Sequence, residues 1–172
     1  MKRLAFLVTM LMFAASATYA QFSKTEMVAE WRRAKEYTKE YLDAMPADGY
    51  GFKPTKEIRS YAQQMLHLAD ANFFFASTAS GKKMPIQASA EKTVAPEKEA
   101  VIKTVMESYD FVIESLESVA PDKMGEKVKL EGQEVSRSGA FGKAFEHQTH
   151  HRGQCTIYLR LKGVTPPQEK LF

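Results

Sequence analysis

From Ser23 onward the apolar residues fall into four stretches in which they recur every three or four positions, the period of an amphipathic α-helix. The first opens with Ser23-Lys24-Thr25-Glu26, which fits a capping box, and continues through Met27, Trp31, Ala34, Thr38, Tyr41 and Met45 until Pro46 ends it. The second is expected to take Thr55 as N-cap, to align Ile58, Tyr61, Met65, Leu68, Asn72 and Phe75, and to stop at Gly81. Pro96 sits where a first helical residue belongs, so it is expected to open the third, whose seam is Ile102, Val105, Tyr109, Val112, Leu116 and Val119. The fourth starts near Ser138, runs through Phe141, Ala144, Gln148, His151, Cys155 and Tyr158, and stops at Gly163 ahead of Pro166-Pro167.

The links differ in character. Asp48-Gly49-Tyr50-Gly51-Phe52-Lys53-Pro54 is turn-rich, and 82–95 shows no period. Between the third and fourth helices, Lys127–Leu130 and Gln133–Val135 can pair as a small hairpin across Glu131-Gly132. Four apolar stripes can be hidden only against one another, so the expected fold is all-α, a four-helix bundle. The long second connection permits a crossover, which leaves the helix order open.

Residues 1–20 follow a different pattern: the positive start Met1-Lys2-Arg3, an apolar run from Leu4 to Ala15, and small residues ending Ala17-Thr18-Tyr19-Ala20. This is the layout of a signal peptide, and the run is shorter than the roughly 20 residues that span a bilayer. Cleavage is expected after Ala20, with Ala17 as the alternative. Residues 21–172 would then be a single exported domain, periplasmic or secreted, without a stable membrane anchor.

Composition adds two exclusions. The 24 Lys plus Arg and 21 Asp plus Glu give a net charge of +3, and two of those cations lie at positions 2 and 3. The near balance in the remainder supplies no clustered positive field, so no nucleic-acid partner is expected. A single cysteine, Cys155, rules out an intramolecular disulfide.

Of the four histidines, His67 falls in the second helix, while His147, His150 and His151 fall within one and a half turns of the fourth. Residues four apart on a helix have Cβ atoms about 5–6 Å apart, so His147 and His151 can aim two imidazoles at one point. His67 is the one histidine left to supply a third from a facing helix. Three neutral imidazoles suit Zn, Ni, Cu or Fe, and three protein ligands leave a coordination position for water or substrate. The seam through Met65 and Leu68 puts His67 to one side, but Met65–Ala76 is apolar nearly all round, so that helix buries a wide arc. His150 is read as outside the ligand set or exposed, with an i, i+3 pairing to His147 as the alternative.

The run Glu146-His147-Gln148-Thr149-His150-His151-Arg152-Gly153-Gln154, followed by Tyr158-Leu159-Arg160, Gly163 and Pro166-Pro167, resembles the last helix of the DinB-like family of bacterial four-helix bundles. Tyr50-Gly51-Phe52-Lys53-Pro54 and Met65-Leu66-His67-Leu68-Ala69 match where that family carries its first motif and first histidine. The resemblance covers essentially all of 21–172. It implies one divalent metal ion, commonly nickel or zinc, held by His67, His147 and His151. Relatives include thiol-dependent transferases and isomerases, and many members have no assigned reaction.

The helix reads His147-Gln148-Thr149-His150-His151 rather than H-E-x-x-H, which excludes a zincin. Glu146 and Asp70 are candidates for a base or for a carboxylate supporting a ligand histidine, and ordinary surface acids are the plainer reading. Arg152 is a candidate for an anionic substrate group or a surface salt bridge. Cys155, four after His151, is expected in the core, as are Phe73-Phe74-Phe75. Gly153 inside a helix suggests close approach by a neighbour. No nucleophile elbow, P-loop or dinucleotide fingerprint occurs. The expected function is a metal-dependent hydrolase or thiol/group transferase acting on an unknown small molecule. A non-catalytic metal-binding or stress-related bundle is the alternative, and exposed helix surface would permit a homodimer.

Overall fold

A computed structural model describes residues 23–172; the signal-peptide expectation for residues 1–20 lies outside the described residues. Capping boxes open the first two helices. In α1 (Lys24–Ala44) the Ser23 hydroxyl accepts from the N–H of Glu26, whose carboxylate accepts from the N–H of Ser23. In α2 (Tyr61–Ser80) Ser60 and Gln63 make the same reciprocal pair. Such boxes satisfy amide donors that helix geometry leaves without partners. The expected start at Thr55 is therefore five residues early. Residues 54–58 form bends and turns, and Ile58, expected on the seam, is 41% exposed. Gly81 ends α2 in the left-handed conformation, at φ 80°.

The link after α2 contains a one-turn helix, α3 (Ala90–Thr93), in the stretch that shows no sequence period. It is held from outside: the Asp70 carboxylate accepts from the Ser89 hydroxyl at 2.6 Å and from the N–H groups of Ala90 at 2.6 Å and Glu91 at 3.1 Å. Helix α4 (Lys98–Ser118) has Glu97 as N-cap, so Pro96 precedes the helix instead of opening it. The expected hairpin is present: β1 (Lys127–Leu130) pairs antiparallel with β2 (Gln133–Ser136), with Val128 opposite Val135. Glu131 and Gly132 turn the chain at φ 49° and 83°. Ser136 caps α5 (Arg137–Leu161), accepting from Gly139 N–H at 3.0 Å.

The contacts fix the order of the bundle. Helices α1 and α2 stand diagonally, each packed on both α4 and α5. Lys24 reaches the carbonyls of Glu117 and Val119, and Lys98 reaches those of Asp43 and Met45, so α1 and α4 are antiparallel. Arg137 reaches the Ala79 carbonyl and Gln64 reaches His151, so α2 and α5 are antiparallel too. The Lys82–Glu114 pair joins the ends of α2 and α4, which run the same way. The four long helices thus run up, down, down, up, and the α2–α4 link is a crossover that carries α3 along the bundle.

Helix α5 lies between α1 and α2 and serves two faces. Phe141, Ala144, Gln148, Cys155 and Leu159 are buried. Gln148 ties that face to the core, because its Oε1 accepts from Tyr109 Oη at 2.8 Å and from Arg152 Nη1 at 2.9 Å. Tyr109 also bonds Thr38 Oγ1 at 2.7 Å, and the Arg152 guanidinium lies 4.5 Å from the Tyr37 ring centroid. This satisfied network sets the rotation of α5 and turns its other face, with His147 and His151, toward α2. Phe74, expected in the core, is 40% exposed, while Phe73 is buried. No helix among the described residues is long and apolar enough to cross a membrane.

Candidate metal centre

His67 stands in the second turn of α2, and His147 and His151 stand one turn apart near the middle of α5. The antiparallel packing of α2 on α5 brings them together. Ring centroids lie 5.3 Å apart for His67 and His147, 4.6 Å for His67 and His151, and 4.3 Å for His147 and His151. One ring nitrogen of each lies within 4.8 Å of those of the other two.

Two of the rings have one nitrogen occupied. Nδ1 of His67 lies 3.4 Å from Oε2 of Glu91 and 3.4 Å from Nη2 of Arg59, and those two residues bond each other at 2.9 Å. Nδ1 of His151 lies 2.7 Å from Nε2 of Gln64. The Nε2 atoms of both rings are therefore the ones left to converge. Nδ1 of His147 is buried without a hydrogen-bond partner. A buried polar atom with no partner costs about 1–3 kcal/mol, and a cation shared by the three rings is a chemistry that would offset it.

Electrostatics keep the rings neutral. Burial lowers the pKa of His151 to about 3 and that of His147 to about 4, and neighbouring imidazoles add to both. His67 is lowered by burial and then by the Arg59 guanidinium, against the opposing pull of Glu91 and Asp70. Neutral imidazole is the form that binds a cation. Three neutral nitrogens, with no carboxylate or thiolate among them, fit a borderline transition-metal ion such as zinc or nickel better than magnesium or calcium.

The other expected site residues fall elsewhere. His150 is exposed, its ring edge-on to His151 at 4.9 Å, and its Nε2 lies 3.0 Å from Gln154 Nε2. Glu146 is a surface acid paired with Lys143 at 2.8 Å, its side chain 72% exposed. The Asp70 carboxylate bonds Ser89, Ala90 and Glu91, so it supports the site by holding α3 in place and, through its charge, opposes the lowering of the His67 pKa. Arg152 is buried in the Thr38–Tyr109–Gln148 network, with Tyr37 against it, and makes no salt bridge among the described residues. Cys155 is fully buried, and burial raises its thiol pKa far above the usual range. Among the described residues no atom beyond the backbone of its own helix lies within 4 Å of where a Cβ would sit on Gly153, so the expected close approach by a neighbour is not found there.

Sequence reasoning did not single out Arg59, Gln64 or Glu91. Gln64 precedes His67 by three positions and shares its helix face, a spacing that could have flagged it. Nothing local marks Arg59 and Glu91, because both reach the site from connections. Arg59, Gln64 and Glu91, together with Gln154, Ile157 and Tyr158, line an open cleft of about 590 Å³, which is separated from the rings by these contacting side chains and is lined by none of the three histidines. A smaller cleft of about 330 Å³, bordered by Phe75, Leu130 and Lys143, reaches His147 and His150 from the hairpin side.

Similarity to known proteins agrees with this architecture. Uncharacterized protein YjoA of Bacillus subtilis (strain 168) is 24% identical over 141 residues, spanning 81% of this chain and 91% of that protein. The crystal structure of YjoA, described as a DinB-like protein, superposes with a TM-score of 0.64 at 22% identity, covering 85% of this chain and 96% of that one. A DinB-like protein from Bacillus cereus ATCC 10987 gives a TM-score of 0.74 at 18% identity over 85% of this chain and 97% of that one. A conserved protein from Enterococcus faecalis gives 0.65 at 18% identity, covering 83% and 98%. These likenesses show the shared bundle. The DinB family model matches residues 15–171, nearly the whole sequence, and the chain belongs to the DinB family.

Proposed function

We propose that this protein holds one divalent metal ion, zinc or nickel, through His67, His147 and His151 and uses it as a metal-dependent hydrolase or group transferase. The observation that carries the reading is the convergence of three neutral imidazoles on one point, with Nδ1 of His147 buried and otherwise unmet. Two clefts flank the site, a larger one of about 590 Å³ lined by Arg59, Gln64 and Glu91, which contact His67 and His151, and a smaller one of about 330 Å³ lined by His147 itself. The room for a small molecule beside His147 favours catalysis over mere metal storage.

When bound, such a cation supplies Lewis acidity, lowering the pKa of a water or thiol and polarising a carbonyl. The chain's own residues do the rest. Glu91 lies where it can accept the Nδ1 proton of His67 and so fix the tautomer that leaves Nε2 free. Arg59, bound to Glu91 and with the loop carbonyl of the same residue held by Tyr158 Oη at 2.8 Å, walls the cleft with a positive charge already balanced by its partner. The Gln154 amide, bonded to Gln64 and His150, lines the larger cleft, and the exposed Ile58 and Ile157 give that cleft an apolar rim.

Titration of the purified protein with Zn²⁺ and Ni²⁺ tests the binding half, with about one equivalent expected. A panel of ester, amide and thiol-transfer substrates, assayed with that metal, tests the catalytic half. Turnover abolished in His151→Ala supports the enzyme; tight binding with no turnover on any substrate would leave the non-catalytic metal-binding bundle. We further infer export, from the charge and apolar run of residues 1–20. N-terminal sequencing of the protein from its native host should begin at Gln21; a chain beginning at Met1 or Lys2 would overturn that reading.

A further inference from the structure

A chain of amides leads from the candidate metal centre to the surface. Gln64, 4% exposed, donates through Nε2 to Nδ1 of His151 at 2.7 Å and also to Oε1 of Gln154. Gln154 Nε2 in turn donates to Nε2 of His150 at 3.0 Å. Two glutamines from different helices thus join a buried histidine to an exposed one.

The direction of this chain decides whether His151 can be a ligand. A neutral imidazole carries one N–H and one lone pair. While the Gln64 amide nitrogen faces Nδ1, that atom holds the lone pair and the proton sits on Nε2. A cation on Nε2 requires the reverse, with the proton on Nδ1 and an acceptor opposite it. An amide supplies that acceptor by a half-turn about its last torsion, which exchanges oxygen for nitrogen with almost no change of shape.

Because the Gln64 amide also bonds Gln154, one turn forces the next. With the Gln64 oxygen toward His151, Gln154 must present its own N–H to that oxygen, and its carbonyl then faces His150, whose Nε2 must carry a proton. Resting on the metal reading above, we propose that Gln64 and Gln154 are positioning residues. They form a two-amide relay that turns over to hold His151 in its ligand tautomer, sets the affinity of the site for a divalent cation, and reports occupancy to His150 at the surface.

The test is a Zn²⁺ competition titration of the purified full chain at pH 8, comparing wild type with Gln64→Leu and Gln64→Glu. Leucine keeps the volume and removes the acceptor, and affinity should fall about 10–100-fold; glutamate only accepts, and should bind at least as tightly as wild type. A purely structural role predicts the opposite ranking, because a buried carboxylate disturbs a core more than leucine does. Gln64→Leu within about twofold of wild type, or Gln64→Glu as weak as Gln64→Leu, overturns the relay. Nitrogen-15 NMR of the wild type gives a readout that needs no variant. On Zn²⁺ addition Nε2 of His150 should change from a lone-pair to an N–H signal, and an unchanged signal overturns the relay. Wild type that takes up no Zn²⁺ would overturn the metal reading and the relay with it, whereas tight wild-type binding matched by Gln64→Leu overturns the relay alone.

Discussion

Asp70 on α2 accepts a hydrogen bond from the backbone N–H of Ala90 at 2.6 Å, and through this bond and two beside it a helix of one turn is pinned to the bundle. Isolated helices of this length do not persist in water, so the position of α3 depends on Asp70. Glu91, the second residue of α3, is the carboxylate that meets His67 and Arg59.

Asp70→Ala is therefore expected to cost about 1–3 kcal/mol of stability and to weaken metal binding by about tenfold, although Asp70 itself does not touch the histidines. Glu91→Gln should weaken binding to a similar degree with little change in melting temperature. Chelator competition and thermal melts measure the two effects. Unchanged affinity in both variants would remove Glu91 from the site.

Acid should unfold the metal-free protein early. Above pH 6.5 the three ligand histidines are neutral in both folded and unfolded chains and contribute no pH dependence. Below it the unfolded chain takes up protons, while burial holds His147 near 4 and His151 near 3 in the fold and lowers His67 as well. The unfolded state then binds more protons, so stability falls as pH drops from about 6.5 toward 4. Denaturant melts of metal-stripped protein at pH 7.5 and 5 should differ, with the acidic midpoint lower, and His147→Phe should reduce the difference. A flat profile over that range would contradict the burial assigned to these rings.

Cys155 is predicted to be inert. It is fully exposed only on unfolding, and burial disfavours its thiolate. A chromogenic disulfide reagent should leave the native protein unlabelled and modify one thiol per chain in denaturant. Fast labelling of the folded protein would mean that this side chain reaches solvent.

Gly153 offers a stabilising substitution. It lies inside α5, exposed, and among the described residues nothing beyond its own helix backbone comes within 4 Å of a would-be Cβ. Gly153→Ala should raise stability by up to about 1 kcal/mol and leave metal binding intact. A lower melting temperature would show that the position serves a conformational need other than helix formation.

Much of the fold was legible because it follows from local chemistry. The Ser23 capping box, the seams of the four helices, the Gly81 stop, the Glu131-Gly132 hairpin and the end at Gly163 each rest on a few neighbouring residues. The misplaced boundaries share a different cause. Helix α2 begins after Ser60 because Ser60 and Gln63 cap each other and Tyr158 holds the Arg59 carbonyl, so Thr55 has no helix to cap. Helix α3 exists because Asp70 binds it, which no local pattern in 82–95 reveals. The same division applies to the candidate site. Helical spacing paired His147 with His151, and the wide apolar arc of α2 left room for His67 to face them. Glu91 and Arg59 come from connecting segments and meet His67 only after the bundle has closed. Glu146 and Arg152 stand beside the histidines in sequence, but one step along a helix turns a side chain by more than a quarter circle. Glu146 accordingly faces solvent, and Arg152 faces the core.

Elemental analysis of the purified protein, wild type beside His67→Ala and His151→Ala, tests the central claim most directly. About one equivalent of zinc or nickel in wild type, lost from both variants while their helical circular dichroism persists, is the predicted result. Wild type that neither carries a metal nor takes up Zn²⁺ or Ni²⁺, or metal that remains in both variants, would contradict a centre built on His67, His147 and His151.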